Sequence, residues 1–175
     1  MKPFVFLWLS LLSFNMPAET RIAILDFELK DLTLAPGIPA EIKRTASVKP
    51  LLENELESAG YRIVAIPLPA QQAAESGVGY LFDHADAAAK LGKSFGADYV
   101  LVGRLHKPSY LFVYLLGNLV KTNDGGSWLG KFIIESKGSD LKLTKKAVES
   151  LAAKIDETLE QRYTPPAPAE HSPSN

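Results

Sequence analysis

The chain alternates between short, continuous apolar runs and longer segments in which apolar residues recur every three or four positions. The first run is Arg21 to Phe27, nearly all apolar, which fits a central strand covered on both faces. Glu28 to Pro39 contains Pro36, Gly37 and Pro39 and reads as a loop. From Glu41 to Ser58, Val48, Leu51, Leu52, Leu56 and Ala59 form one helical stripe. Pro50 interrupts that stripe, so the helix either kinks there or starts its regular part there. Gly60 suits the left-handed residue that ends such a helix.

Tyr61 to Ile66 is a second short strand, stopped by Pro67 and Pro69, and Gln71 to Gly79 is a connection without a strong pattern. Leu81, Ala85, Ala88, Leu91 and Phe95 line one face of a helix over Leu81 to Phe95, which Gly96 closes. Asp98 to His106 is a third strand, apolar on both faces from Tyr99 to Val102.

Two further strands follow, Tyr110 to Val120 and Trp128 to Lys137. Asn123-Asp124-Gly125-Gly126 joins them as a hairpin, because glycine supplies the positive φ of tight turns. In the second, Lys131, Glu135 and Lys137 share a wet face, with Phe132 and Ile134 opposite. The last helix, Leu141 to Arg162, carries Leu143, Ala147, Leu151, Ile155 and Leu159 on its dry side, and Ser139 or Asp140 is placed to cap it. The expected fold is α/β (α+β) in the order β-α-β-α-β-β-β-α. It is a mixed sheet of about five strands with three main helices, a parallel part joined by right-handed crossovers and an antiparallel hairpin.

The ends differ from this middle. Lys2 is the one charge before Glu19, and Phe4 to Phe14 is apolar except for Ser10 and Ser13. A basic start, a short apolar stretch and a small residue are the layout of a secretory signal peptide. The stretch falls short of the roughly 20 apolar residues of a membrane-spanning helix. The expected organisation is a signal peptide over 1–18, one α/β domain over 19–163 and a proline-rich disordered tail over 164–175. A buried N-terminal helix or an uncleaved anchor is the other reading of the start.

Charge and composition exclude several classes. The chain has 19 basic and 20 acidic residues. Loss of Lys2 with the leader leaves the remainder at −2, with no basic footprint for nucleic acid. It has no cysteine, which removes disulfides and a lipid-modified cysteine. An exported chain of this kind suits a bacterial periplasm, without a membrane span once the leader is gone.

Candidate chemistry is sparse. Asp83, His84 and Asp86 lie close in sequence, but His84 does not share the helix face of the two carboxylates, so a solvated face is the better reading than a metal site. No Gly-x-Ser-x-Gly elbow, phosphate-binding glycine loop or calcium loop is present, so no cofactor, no metal and no enzymatic activity are expected. Arg104 and His106 share strand parity at the strand end where open α/β sheets bind ligands, and Asp26 and Glu28 lie near the matching end of the first strand. These four form a candidate small-ligand site; alternatively, Asp26 caps a loop backbone and pairs with Arg104. Tyr110, Phe112 and Tyr114 share one strand face, which either packs under a helix or, with Lys131, offers a partner an apolar surface.

Helix–Gly96-Ala97-Asp98-Tyr99-Val100-Leu101-Val102-Gly103–strand–turn–strand–helix resembles the N-terminal α/β domain of TolB and the CsgG-type periplasmic domains. Ile22-Ala23-Ile24-Leu25-Asp26-Phe27 is similar to the opening strand of that group. The likeness spans about Arg21 to Arg162, and more closely resembles a family of exported bacterial proteins made of this domain alone. It implies a non-enzymatic accessory or interaction protein of the bacterial envelope that binds another envelope protein. It further implies an association with periplasmic quinoprotein alcohol dehydrogenase systems. TolB's propeller and CsgG's pore-forming strands have no counterpart in the sequence.

Overall fold

The computed structural model describes residues 19–136 and 140–160. The leader reading over 1–18, the tail over 164–175 and Ser139 as a cap lie outside the described residues. Six strands form one sheet: β1 (Arg21–Ile24), β2 (Glu28–Asp31), β3 (Arg62–Ile63), β4 (Tyr99–Lys107), β5 (Tyr114–Lys121) and β6 (Ser127–Glu135). Five helices accompany them: α1 (Pro39–Ser58), α2 (Leu68–Ala74), α3 (Tyr80–Asp83), α4 (Ala85–Ser94) and α5 (Leu141–Glu160). The spatial order is β3-β1-β4-β5-β6, with β2 also paired to β4. β1, β2 and β3 run parallel in their pairings; β4, β5 and β6 are antiparallel neighbours. This is the expected mixed sheet.

Each face has its own core. Ile22, Ile24, Leu101, Leu105, Leu115 and Leu119 pack against Val48, Leu52 and Leu56 of α1 and Val148, Leu151 and Ile155 of α5. Ala23, Leu25, Val100, Val102 and Val120 pack against Leu81, Ala85, Ala88 and Leu91 of α3 and α4. The continuous apolar runs in β1 and β4 follow from this two-sided burial. α1 remains helical through Pro50, and Asp140 takes the capping role at α5, its carboxylate accepting the Lys142 N–H at 3.1 Å.

The differences from the expected elements have local causes. Glu28–Asp31 is a strand rather than loop. Ile24 pairs with Leu101 and Glu28 with Arg104, so three residues span what two span on β4. One extra residue bends the first strand and lets it resume as β2. Its kink is fitted by Gly103, whose missing Cβ leaves room for the Phe27 ring. The helix expected over Leu81 to Phe95 is split at His84, which has extended backbone dihedrals between α3 and α4. α2 lies in the segment without periodicity. The strand expected from Tyr110 begins at Tyr114, after a loop through Tyr110, Leu111 and Phe112.

Candidate functional site

The antiparallel register lays out the second sheet face as rungs. One runs Lys30, His106, Tyr114, Glu135; the next runs Glu28, Arg104, Leu116, Ile133; a third runs Val102, Asn118, Lys131. α4 covers Val100, Val102 and Val120, and α3 reaches only as far as Arg104 and Asn118. Beyond α3 the face carries Leu116, Tyr114, Ile133, Glu135 and Lys131. Ile133 is 67% exposed. Phe82 of α3, Leu116, Trp128 and Ile133 line a shallow groove there with Asp83 and Lys131 at its edges. Lys131 Nζ lies 4.9 Å from the Trp128 ring centre.

Arg104 is the pin at the covered end of this face. Its Nε donates to Glu28 Oε2 at 2.7 Å, its guanidinium stacks 4.1 Å from the Phe82 ring centre, and Asp83 lies 3.9 Å away. Gly79, with φ +75°, sits directly on the pair, and a Cβ there would strike the Arg104 guanidinium. Asn118 completes the anchorage by donating to the Phe82 carbonyl at 3.0 Å. These contacts hold α3 over the strand ends.

The four candidate ligand residues do not converge. Glu28 and Arg104 are hydrogen-bonded partners, and His106 is on the next rung of the same face with its Nδ1 buried and without a hydrogen-bond partner. Asp26 is on the opposite face. It keeps the parity of Ile22 and Ile24, toward α1, where it accepts from Lys49 Nζ at 3.0 Å, while the extra residue turns Glu28 to the other face. Its backbone N–H and C=O are satisfied by the Gln71 side chain at 2.8 and 3.1 Å. The alternative expectation, an Asp26–Arg104 pair, is replaced by separate Asp26–Lys49 and Glu28–Arg104 pairs.

Of the surface candidates, Tyr114 is half-buried on the first rung and Lys131 is exposed on the third. Tyr110 and Phe112 share no strand face with Tyr114, because they belong to the loop before it. That loop leaves Tyr110, Leu111 and Phe112 at 61%, 76% and 46% exposure. Lys107 Nζ lies 5.8 Å from the Tyr110 ring centre, so the Tyr110 end of the loop lies by the end of β4 on the α1 side of the sheet. Sequence parity missed Leu116, Phe82 and Ile133; the alternation of Phe132 and Ile134 against Lys131 and Glu135 was the available signal for Ile133.

A second polar cluster lies inside the first core. Glu41, Arg44, Lys107, Ser136 and Thr144 are all buried. Lys107 Nζ donates to Glu41 Oε1 at 2.8 Å, while Arg44 donates to Thr144 Oγ1 at 2.7 Å and Ser136 Oγ at 2.9 Å. Arg44 Nη1 and Glu41 Oε2 stand 3.5 Å apart. Burial draws the Arg44 pKa down, opposed by Glu41 and Asp140. The cluster joins the start of α1, the end of β4 and the start of α5; it is sealed from solvent and offers no access to a substrate. Among the described residues no group of three or more His, Cys, Asp or Glu could hold a metal ion. No helix among them is long and apolar enough to cross a membrane.

The fold and this surface define an α/β sheet domain with one half-uncovered face and its charged side chains tied to neighbours. The hypothetical protein CT253 from Chlamydia trachomatis shares the fold, at TM-score 0.56 and 10% identity over 81% of this chain and 98% of that one. Weaker likenesses are to the PelC dodecamer from Paraburkholderia phytofirmans and to TolB from Acinetobacter baumannii. For PelC the TM-score is 0.48 at 20% identity over 81% of this chain and 87% of that one. For TolB it is 0.46 at 13% identity over 82% of this chain and 28% of that one. The chain belongs to the DUF3280 family, described as "Protein of unknown function (DUF2380)", whose model matches residues 20–155. No curated protein matches it.

Proposed function

We propose that this is a non-enzymatic protein of the bacterial envelope that works by binding another envelope protein. The observation that carries the reading is the run of three exposed apolar residues, Tyr110-Leu111-Phe112, in the loop between β4 and β5. Exposed apolar surface of this kind is a common feature of partner sites. Two exposed aromatics at its edge supply the kind of anchors that dominate interface energy. Lys131 borders the groove on the uncovered face. The Arg104–Glu28–Phe82 stack shapes the surface by holding α3 in place.

Export rests on the leader reading of residues 1–18. An association with a periplasmic quinoprotein alcohol dehydrogenase system is the finer form of this proposal; it is supported by the family resemblance alone.

The test is cross-linking of the exported protein in its native envelope, with mass spectrometry of the adducts. Phe112→Asp and Tyr110→Asp lie on an exposed loop and leave thermal unfolding near that of the parent. The expected result is one dominant adduct, lost in both variants, with the recovered chain starting near Glu19. Equal adducts in parent and variants overturn the surface; recovery of the chain from the cytoplasm overturns the location.

A further inference from the structure

We propose that a second copy of this chain pairs with the outer edge of β6, antiparallel and centred on Ile133, so that two sheets join into one. The inference does not depend on the partner-binding loop.

β6 is the long edge of the sheet, nine residues against two in β3 at the other edge. Its backbone has a defined outward side. The Ser136 N–H donates to the Val113 carbonyl at 2.7 Å, which directs the even-numbered residues of this strand toward β5. The N–H and C=O groups of Lys131, Ile133 and Glu135 therefore point away from the sheet. Long flat edges are usually blunted by bulges or charges. The bulge in β6 lies near Leu129, between the Gly130 and Trp128 pairings, and leaves Lys131 to Glu135 regular.

The side chains along that stretch are complementary to their own copy. A two-fold axis at Ile133 places Ile133 opposite Ile133, Lys131 opposite Glu135 and Glu135 opposite Lys131. On the other face the same axis places Phe132 opposite Ile134. Opposed residues of unlike charge or matching apolar character are the pairs that stabilise antiparallel ladders. The pairing sets the two exposed Ile133 side chains against each other and covers part of each. α5 runs along the same margin, where Lys146 and Glu149 border the groove with Ile134 and Glu135. The two-fold brings α5 toward its copy in antiparallel sense, with cation facing anion again. Self-complementary patches of this sort are the signature of a two-fold interface.

The chain has no cysteine, so one introduced thiol reports on one contact. Cα atoms of directly opposed strand residues lie about 4.5–5.5 Å apart, inside the range a disulfide spans. Purified exported protein is expected to sediment as a dimer, and Ile133→Cys to form a covalent dimer on mild oxidation. Val78→Cys, on a still more exposed loop, serves as the collisional control and is expected to oxidise far more slowly. Lys131→Glu and Glu135→Lys each oppose like charges twice per dimer and are expected to weaken self-association about tenfold or more. The double exchange restores the pairing and the affinity. Circular dichroism of each variant confirms the fold, since all three side chains are exposed. A monomer at all concentrations overturns the proposal, as does an Ile133→Cys thiol that couples no faster than the Val78→Cys thiol. A dimer indifferent to the single reversals, or not recovered by the double exchange, equally overturns it. So does a different protein occupying this edge while the chain itself stays monomeric.

Discussion

Single residues decide where the tension in this fold lies. Glu41 is the buried anion between two buried cations, Arg44 and Lys107. Removing one member of a buried ionic group leaves charge uncompensated in a medium that solvates it poorly. Glu41→Gln is expected to destabilise the protein by about 3–5 kcal/mol, read from urea denaturation midpoints. Gly103→Ala puts a methyl where the Phe27 ring lies and is expected to cost about 1–3 kcal/mol as an overpacking change. At the surface, Asp98 is held below its usual pKa by the Arg21 hydrogen bond, against the opposing effect of burial, with the Arg21 N–H adding to the lowering. A depressed carboxylate contributes stability that is present above its unfolded value, about 3.9, and is lost as pH falls through the folded value. Asp98→Asn should therefore flatten the acid side of the stability curve below about pH 4 while costing about 1 kcal/mol at neutral pH. An unchanged acid limb would exclude this pair as its source.

At the level of elements, the strands and helices with strong periodicity were legible in the chain and the short ones were not. β4, β6, α1 and α5 carry their burial pattern in the sequence itself. β2 was hidden because the extra residue ahead of it breaks alternation, and that same residue separates Asp26 from Glu28. Parity reasoning paired Arg104 and His106 correctly, yet it could not foresee which acid would face them. α2 is seven residues long and contains one buried residue, Gln71, whose amide serves the Asp26 backbone. Such a segment has too little apolar repetition to announce a helix. The ionic cluster was invisible because Glu41, Arg44 and Lys107 read as surface residues until the three elements meet. Pro50 illustrates an element that overrides local preference. It is exposed inside α1, where it leaves the Ala46 carbonyl without its helical donor. Pro50→Ala is expected to raise the melting temperature, with a gain of up to about 3 kcal/mol, because the flanking stripe is already packed. A fall in melting temperature would mean that the proline itself stabilises α1, by restricting the unfolded chain.

At the scale of the whole molecule, the sheet is dressed unevenly. Two long helices, α1 and α5, seal one face, while the other is sealed by short helices only over β1, the start of β4 and the end of β5. The uncovered rungs and the outer side of β6 fall on the less protected side. Pairing through β6 would double the uncovered face into one continuous surface while leaving both loops accessible. Since association that favours the folded state stabilises it by mass action, the melting temperature should rise with protein concentration and become flat in Lys131→Glu. A concentration-independent melting temperature in the parent would count against association.

The two-residue β3 border has a consequence for what this chain cannot build. A unit able to bond through a single flank terminates any growing row as soon as it joins one, as a monofunctional reagent stops a polymer. Stacking of sheets end to end through β3 is thereby disfavoured, since two residues present few backbone groups to a neighbour.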